Sequence, residues 1–261
     1  MVIKDEQEYL DERILIVGYG NIGKHMHNEL HDAGQIDIYD KFIPKYNSMP
    51  YGHYNIAFIC VPTDMKEDGS CDTSIVEEAV HNIDAGIIVI KSTVPVGTCE
   101  QLKMFYTNHI VFSPEYYGTT RHAPTSPNFV VLAGDRDDCD EVARLYYKVK
   151  TKDFRIHFTD YRTAELAKYM ENCFLALKVT FCAEFASIAQ EKGISYPQLR
   201  EIFVLDERMG DSHTFIDPDQ PYYDSHCLNK DIPALISQTN KAHLMEAVHK
   251  INKRKKKDGS Y

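Results

Sequence analysis

Residues 17–23 read Val-Gly-Tyr-Gly-Asn-Ile-Gly, between a short apolar run and a segment with helical spacing. The run before them, Arg13 to Val17, predicts a buried parallel strand. The segment after them, Asn21 to Ala33, predicts a helix that Gly34 ends. A glycine-rich turn between a strand and a helix is typical of dinucleotide-binding folds, where the helix N-terminus faces the pyrophosphate. The predicted cofactor-binding residues of this turn are Gly18, Tyr19, Gly20, Asn21, Ile22 and Gly23.

A carboxylate follows the turn at the spacing that a ribose contact requires. Asp40 ends the second predicted strand, about 20 residues after the turn. Its carboxylate would accept hydrogen bonds from the ribose hydroxyls and repel a 2'-phosphate, which favours NAD over NADP. Two alternatives stay open. The turn could hold no ligand, and Asp40 could serve only as a strand-end cap.

The remaining sequence predicts two domains. Further strands at 36–39, 54–61, 87–90, 109–112 and 128–133 alternate with helices at 73–81 and 138–150, which is typical of an α/β, doubly wound parallel sheet. Residues 163–192 then lack Gly and Pro and predict one helix of about 28 residues, roughly 42 Å long. Helices at 196–204 and about 232–253 follow. We expect a Rossmann-type domain over 1–160 and a smaller all-helical domain over 161–261, with a homodimer formed through the long helix.

Composition excludes several classes of function. The net charge of −10 argues against a nucleic-acid surface, and the basic residues of 250–257 are typical of a solvated helix end. Seven cysteines without a CxxC pair indicate free thiols in a reducing compartment. No uninterrupted apolar run reaches the roughly 20 residues of a membrane span. We therefore expect a cytoplasmic protein without membrane contact. His25, His27 and His31 predict a solvated helix face rather than a metal site.

Five more segments follow the glycine-rich turn in a fixed order. They are Phe-Ile-Cys-Val-Pro-Thr at 58–63, Lys-Ser-Thr-Val-Pro-Val-Gly-Thr at 91–98, Ser-Pro-Glu-Tyr at 113–116, Ala-Glu-Leu-Ala-Lys-Tyr-Met-Glu-Asn at 164–172 and Cys-Leu-Asn-Lys-Asp at 227–231. Over about Arg13 to Asn252 the chain resembles the UDP-glucose/GDP-mannose dehydrogenase family, and segments 91–98 and 164–172 carry the most specific part of the likeness. The resemblance implies oxidation of a sugar C6 alcohol to a carboxylate by two NAD molecules in turn, through a cysteine thiohemiacetal and thioester.

The resemblance also implies roles for individual residues. Cys227 is the nucleophile, and a nearby helix N-terminus and Lys230 would lower the pKa of its thiol. Lys168 and Asn172, spaced i and i+4 on one helix face, would hold the substrate oxyanion. The residues expected to hold or activate the hydrolytic water are Thr93, Glu115 and Asp231. Further expected cofactor contacts are Lys45, Val61, Pro62, Thr63, Ser92, Thr93 and Lys230. Arg208 is expected to reach the substrate of a neighbouring subunit.

Each role has a simpler alternative. Cys227 could be a structural loop cysteine, Lys168 and Asn172 a solvated stripe, and Asp231 a helix N-cap. The sequence also departs from the family. It lacks the second Rossmann-like domain that grips the nucleotide, so we expect weakened affinity for a nucleotide sugar. Residues 221–226 replace a glycine-rich loop, Asn229 replaces a proline, and Thr119 replaces an acidic residue.

Three functional hypotheses remain open. The first is a dehydrogenase of the family type, acting alone or with a second chain that supplies the missing domain. The second is a non-catalytic NAD-binding or assembly protein that kept the fold. The third is a two-electron hydroxyacid dehydrogenase, which would not need Cys227.

Overall fold

A computed structural model describes residues 12–106, 109–118 and 127–258 of the chain; Thr119 lies outside them. The described residues divide into two compact units. Those of 12–64, 72–117 and 127–167 form the first unit, and those of 65–71, 118 and 168–258 form the second. The division falls inside the long helix, a few residues after the expected boundary at Asp160.

The first unit contains a seven-stranded sheet in the order β2-β1-β3-β4-β5-β6-β7. Its strands are β1 (Arg13–Val17), β2 (Gln35–Tyr39), β3 (Tyr54–Ile59), β4 (Ala85–Ile90), β5 (His109–Phe112), β6 (Phe129–Gly134) and β7 (Arg155–Thr159). The predicted doubly wound α/β fold is confirmed with one difference: β5 and β6 pair antiparallel, while the other pairs are parallel. The sheet of the first unit is therefore mostly, and not entirely, parallel.

Four helices of the first unit flank this sheet, and they are α1 (Asn21–Leu30), α2 (Ser74–Asn82), α3 (Thr98–Phe105) and α4 (Arg136–Val149). Apolar residues alternate along β4, so that Ile88 and Ile90 join the core on one face while Ile87 and Val89 join the core on the other. Both faces are buried, as expected for a strand inside a doubly wound sheet. The same alternation continues past the end of β4. It sets the face of the sheet toward which each following side chain is directed.

The helical region consists of α5 (Tyr161–Glu191), which begins in the first unit, and α6 (Tyr196–Phe203), α7 (His226–Gln238) and α8 (His243–Asp258) in the second. The predicted single helix over 232–253 is wrong, because it is two helices separated near Thr239. The Thr239 hydroxyl accepts the backbone N–H of Lys241 at 3.2 Å, a local bond that competes with helix continuation. The start near Asp231 is also wrong, since α7 begins at His226 with Ser225 as its N-cap.

Helix α5 is the part of the described chain that bears on the expectation about membrane spans. Among the described residues it is the one helix with the length and composition of a span, with a mean hydropathy of 1.4 over 18 residues, 44% of which are buried. Lys178 and Glu184 interrupt its apolar run, which is why a search for an unbroken run misses it. Core helices of soluble proteins share these properties, so the finding is weak evidence for a membrane.

Candidate active site

The glycine-rich turn is shaped by two close backbone approaches and one open position. Gly18 has a φ of +87°, and a Cβ there would lie 2.7 Å from the carbonyl oxygen of Cys60. A Cβ on Gly23 would lie 1.9 Å from the carbonyl oxygen of Gly18. By contrast, a Cβ on Gly20, the N-cap of α1, would meet no described atom within 4 Å. Space therefore exists beside the first turn of α1, where backbone N–H groups suit a pyrophosphate.

Asp40 is bonded to the turn itself. Its carboxylate accepts the backbone N–H of Tyr19 at 2.7 Å and that of Phe42 at 2.9 Å. Both bonds fit the strand-end cap that the sequence left open, but a carboxylate offers about four acceptor positions, so ribose contacts remain compatible. Nearby, Tyr19 packs edge-on against Tyr46, and the Lys45 ammonium lies 5.0 Å from the Tyr46 ring centre. Residues 19 and 40–46 thus form one wall next to the turn.

The segments after β3 and β4 are tied together by two hydroxyl groups. Ser92 Oγ donates to the carbonyl of Val61 at 2.6 Å, and Thr63 Oγ1 donates to the carbonyl of Thr93 at 2.8 Å. Ser92 and Thr63 are buried, whereas Pro62, between Val61 and Thr63 in the chain, is exposed. The structure thus brings these predicted cofactor residues together at the carboxyl edge of the sheet, where such folds bind ligands.

Glu115 forms a buried ion pair that the sequence analysis missed. Its Oε2 lies 3.2 Å from Lys91 Nζ, and its Oε1 accepts the N–H groups of Tyr116 and Tyr117 at 2.9 and 2.7 Å. Burial opposes ionisation of Glu115, but the Lys91 charge, the Tyr117 N–H and His25 together lower its pKa. Burial likewise opposes the charge of Lys91, yet Glu115 raises its pKa overall. The sequence pattern that could have predicted this pair is the two-residue alternation of β4. Side chains alternate between the faces of a strand, and Lys91 lies on the same buried face as Ile87 and Val89.

A second missed residue joins the two most specific segments. Glu165, which is fully buried on α5, accepts the backbone N–H of Gly97 at 2.6 Å and that of Cys99 at 2.9 Å. The N-cap of α3 is Gly97, which has no side chain, so Glu165 supplies the carboxylate that caps α3. Burial raises the pKa of Glu165 despite these bonds.

In the second unit, Asp231 is the centre of a hydrogen-bonded cluster. Asn172 Nδ2 donates to its Oδ2 at 2.6 Å, and Lys230 Nζ donates to its Oδ1 at 2.6 Å. Asp231 is fully buried in the interior of α7, so the N-cap alternative is wrong. Lys168 lies one turn before Asn172 on α5 and pairs with Glu171. Lys168 and Asn172 are both buried, which is at odds with a solvated stripe.

Cys227 belongs to the first turn of α7 rather than to a loop before it, and its side chain is exposed. The expectation of a lowered thiol pKa is wrong. Desolvation around the sulfur and the Asp231 carboxylate raise the pKa, and Lys230 and Lys168 lower it by less. The sequence showed the cation and the helix end, but not that Asp231 lies one helical turn from the thiol.

Arg208 is exposed and held in a bidentate pair by Asp206, at 2.9 Å for Nε and 2.5 Å for Nη2.

Comparisons with known proteins agree with this fold. Residues 45–150 match the model of the UDP-glucose/GDP-mannose dehydrogenase family, NAD binding domain, and residues 162–254 match the central domain of the same family. The chain is 30% identical over 230 residues to a UDP-glucose 6-dehydrogenase of Rickettsia bellii, covering 82% of this chain and 52% of the relative. The chain spans about half the length of the relatives it matches.

Two solved structures show the same fold. A UDP-glucose dehydrogenase of Pyrobaculum islandicum matches 97% of this chain and 69% of its own, with a TM-score of 0.76 and 21% identity. A 3-hydroxyisobutyrate dehydrogenase of Mycobacterium tuberculosis matches 96% of both chains, with a TM-score of 0.69 and 16% identity. The two family matches together cover well over half of the sequence. This chain therefore belongs to the UDP-glucose/GDP-mannose dehydrogenase family and carries its NAD-binding domain.

Proposed function

We propose that the protein is an NAD-dependent dehydrogenase that oxidises the C6 alcohol of a nucleotide sugar to a carboxylate through Cys227. The cluster of Cys227, Lys168, Asn172, Lys230 and Asp231 carries the proposal. It combines a nucleophile, a cation, an amide donor and a buried carboxylate within the second unit. A protein that only bound NAD would not need this combination.

The chemistry assigns one task to each side chain. Lys168 and Asn172 would donate hydrogen bonds to the C6 oxygen, where negative charge develops. The sulfur of Cys227 would bond to C6 of the aldehyde and form a thiohemiacetal, which the second oxidation converts to a thioester. Because the pKa of Cys227 is raised, its proton must leave as the C–S bond forms. We assign that proton to the Asp231 carboxylate, one helical turn away.

Hydrolysis completes the cycle. Water attacks the thioester carbon, the C–S bond breaks, and the products are the carboxylate and the regenerated thiol. We assign the water to Thr93 and its proton to Glu115, as the family resemblance implies. When bound, NAD supplies the two-electron acceptor for each of the two oxidations.

Replacing Cys227 with Ser tests the proposal against the two-electron alternative. We expect the wild-type protein, given NAD and UDP-glucose, to form two NADH for each acid released. Cys227→Ser should form no acid, because serine does not give a thioester. The buried Cys139→Ala is the matched control and should keep the wild-type stoichiometry. One NADH per turnover, unaffected by Cys227→Ser, would establish the hydroxyacid-type reaction instead, and absence of any turnover would favour a binding protein.

We further propose that the protein is a homodimer formed through α5. Apolar side chains stand exposed on this helix at helical spacing, with Met170 at 74%, Phe174 at 58% and Phe181 at 46% exposure. A stripe of this kind marks a protein interface in a water-soluble protein. Sedimentation should show a dimer for the wild type, a monomer for Phe174→Glu combined with Phe181→Glu, and a dimer for the control Gln190→Glu, an exposed polar position on the same helix.

We infer a cytoplasmic location from the chemistry of the cysteines. All seven are free, and the exposed thiol of Cys227 requires a reducing environment for the proposed reaction. Co-fractionation of the native protein with soluble cytoplasmic markers tests this inference, and recovery in a membrane fraction would contradict it.

A further inference from the structure

The first unit contains a polar pocket in which the proposed reaction uses Glu115 alone. It is lined by His25 and Glu29 of α1, Lys91, Glu115, and Tyr146 of α4, among apolar side chains. Lys91 and Glu115 are its buried ion pair. Glu29 forms a second ion pair with Lys150. The charges of the two carboxylates, Glu115 and Glu29, are therefore balanced by those of Lys91 and Lys150. His25 lines the same pocket outside these two pairs.

Tyr146 indicates what the pocket would hold. Its side chain is buried, and no group among the described residues forms a hydrogen bond with its hydroxyl. An unpaired buried hydroxyl costs roughly 1–3 kcal/mol, so native proteins rarely leave one. Lys91 Nζ uses two of its three donors, on Glu115 and on Ser113 Oγ at 3.4 Å. The lining of the pocket thus offers two hydrogen-bond donors, the Tyr146 hydroxyl and the third N–H of Lys91. It also offers the carboxylate oxygens of Glu115 and Glu29 as acceptors.

A single water molecule has the two acceptor sites and the two donors that match these groups. It can accept bonds from the Tyr146 hydroxyl and the third Lys91 N–H, and donate bonds to the two carboxylates. Buried waters typically make about three such bonds. Lys91, Tyr146, Glu115 and Glu29 all line this one pocket.

His25 connects this space with solvent. Its ring stacks on Tyr117, with centroids 4.0 Å apart and planes 5° apart, and its Nε2 lies 4.0 Å from Glu29. The ring is mostly buried with a small exposed edge, 12% of the side chain. It therefore has a fixed orientation, one side toward the pocket and one toward water.

We propose that the pocket is a proton path, in which a water held by Tyr146 and Lys91 carries protons from Glu115 to His25 and from there to solvent. This inference rests on the proposed function, in which Glu115 accepts a proton from the hydrolytic water. The carboxyl proton moves to the bound water as that water gives its own proton to the imidazole, and His25 then releases a proton to solvent. An imidazole suits this relay because one ring nitrogen can accept a proton while the other releases one.

The charged and titratable groups facing His25 come from every element around it. They are Glu29 on the same helix, Tyr146 of α4, Lys91 after β4, and Glu115 and Tyr116 after β5, which all line the pocket, with Lys150 paired to Glu29 and Tyr117 stacked on the ring.

Chemical rescue tests the proton path. His25→Gln keeps hydrogen bonding but cannot relay a proton, so we expect hydrolysis to slow about 100-fold, the low end of what a positioned proton acceptor contributes. Acylated Cys227 should then accumulate, as seen by mass spectrometry, and added imidazole should restore turnover. His31→Gln is the control, since His31 follows the same helix beside Asp32 but outside the pocket.

Each outcome separates the two proposals. Unchanged hydrolysis in His25→Gln, or a loss that imidazole does not restore, overturns the proton path and leaves the proposed function standing. A wild-type protein that never forms an acyl-enzyme overturns the function and the path together. Tyr146→Phe keeps the ring and removes the hydroxyl that holds the water, so it should also accumulate the acyl-enzyme. Normal hydrolysis in that variant would overturn the path even if His25→Gln fails to fold.

Discussion

Removal of the Glu165 carboxylate should destabilise the first unit. In Glu165→Ala the backbone N–H groups of Gly97 and Cys99 lose a buried acceptor at 2.6 and 2.9 Å. An unsatisfied buried donor costs about 1–3 kcal/mol, so the two together cost about 2–6 kcal/mol. Part of this loss is offset because burial disfavours the charged carboxylate, as its raised pKa shows. We expect a net loss of about 2–4 kcal/mol in the free energy of unfolding.

Urea denaturation followed by circular dichroism measures the loss, and hydrogen exchange locates it. Exchange should accelerate first at the N-terminal turn of α3, because that turn loses its cap. Glu184→Ala removes an exposed carboxylate from the same helix and should change stability by less than about 0.5 kcal/mol. A change below about 0.5 kcal/mol in Glu165→Ala, with unaltered exchange in α3, would refute the capping role.

Three further predictions follow from the site. Burial raises the pKa of Glu165 above its ordinary value of 4.5. The stability that Glu165 contributes is therefore fully present below pH 4.5 and is lost as the pH rises through the pKa of the folded state. Urea titrations should show this loss in the wild type and not in Glu165→Gln. Because the pKa of Cys227 is raised, the rate of its alkylation by iodoacetamide should still increase above pH 9.0. At pH 8, alkylation should be faster than wild type in Asp231→Asn and slower in Lys230→Gln. The reverse order would contradict the effects assigned to these two charges. Gly20→Ala should leave the melting temperature unchanged, since its Cβ meets no described atom within 4 Å. The same substitution should weaken NAD binding at least about tenfold in calorimetry, because the added methyl group occupies the space where the pyrophosphate approaches the backbone. Equal affinity for NAD would place the cofactor elsewhere.

Short-range patterns predicted the sheet and the glycine-rich turn well. Strands such as β1 and β4 are apolar runs of strand length, and Gly18 and Gly23 are required by contacts with near neighbours in the fold. The start of α7 was misplaced, because Pro233 is typical of a first helical turn and here lies in the helix interior. The antiparallel pairing of β5 with β6 leaves no trace in local periodicity.

Long-range pairs limited what the sequence could show of the site. Lys91 and Glu115 lie after different strands, and Glu165 caps a helix 66 residues before it. Nothing near Glu165 in sequence distinguishes it from a solvated helix acid. The thiol of Cys227 was misjudged for the same reason, since Asp231 acts on it through a helix that the sequence did not predict to begin so early.

Calorimetric titration with NAD tests the central claim most directly, because both proposed oxidations require the cofactor in the first unit. We predict heat of binding for NAD with one site per chain, and weaker binding of NADP because Asp40 repels the 2'-phosphate. UDP-glucose is then added in the presence of NADH to test the substrate. A folded protein that gives no heat with NAD would contradict the account.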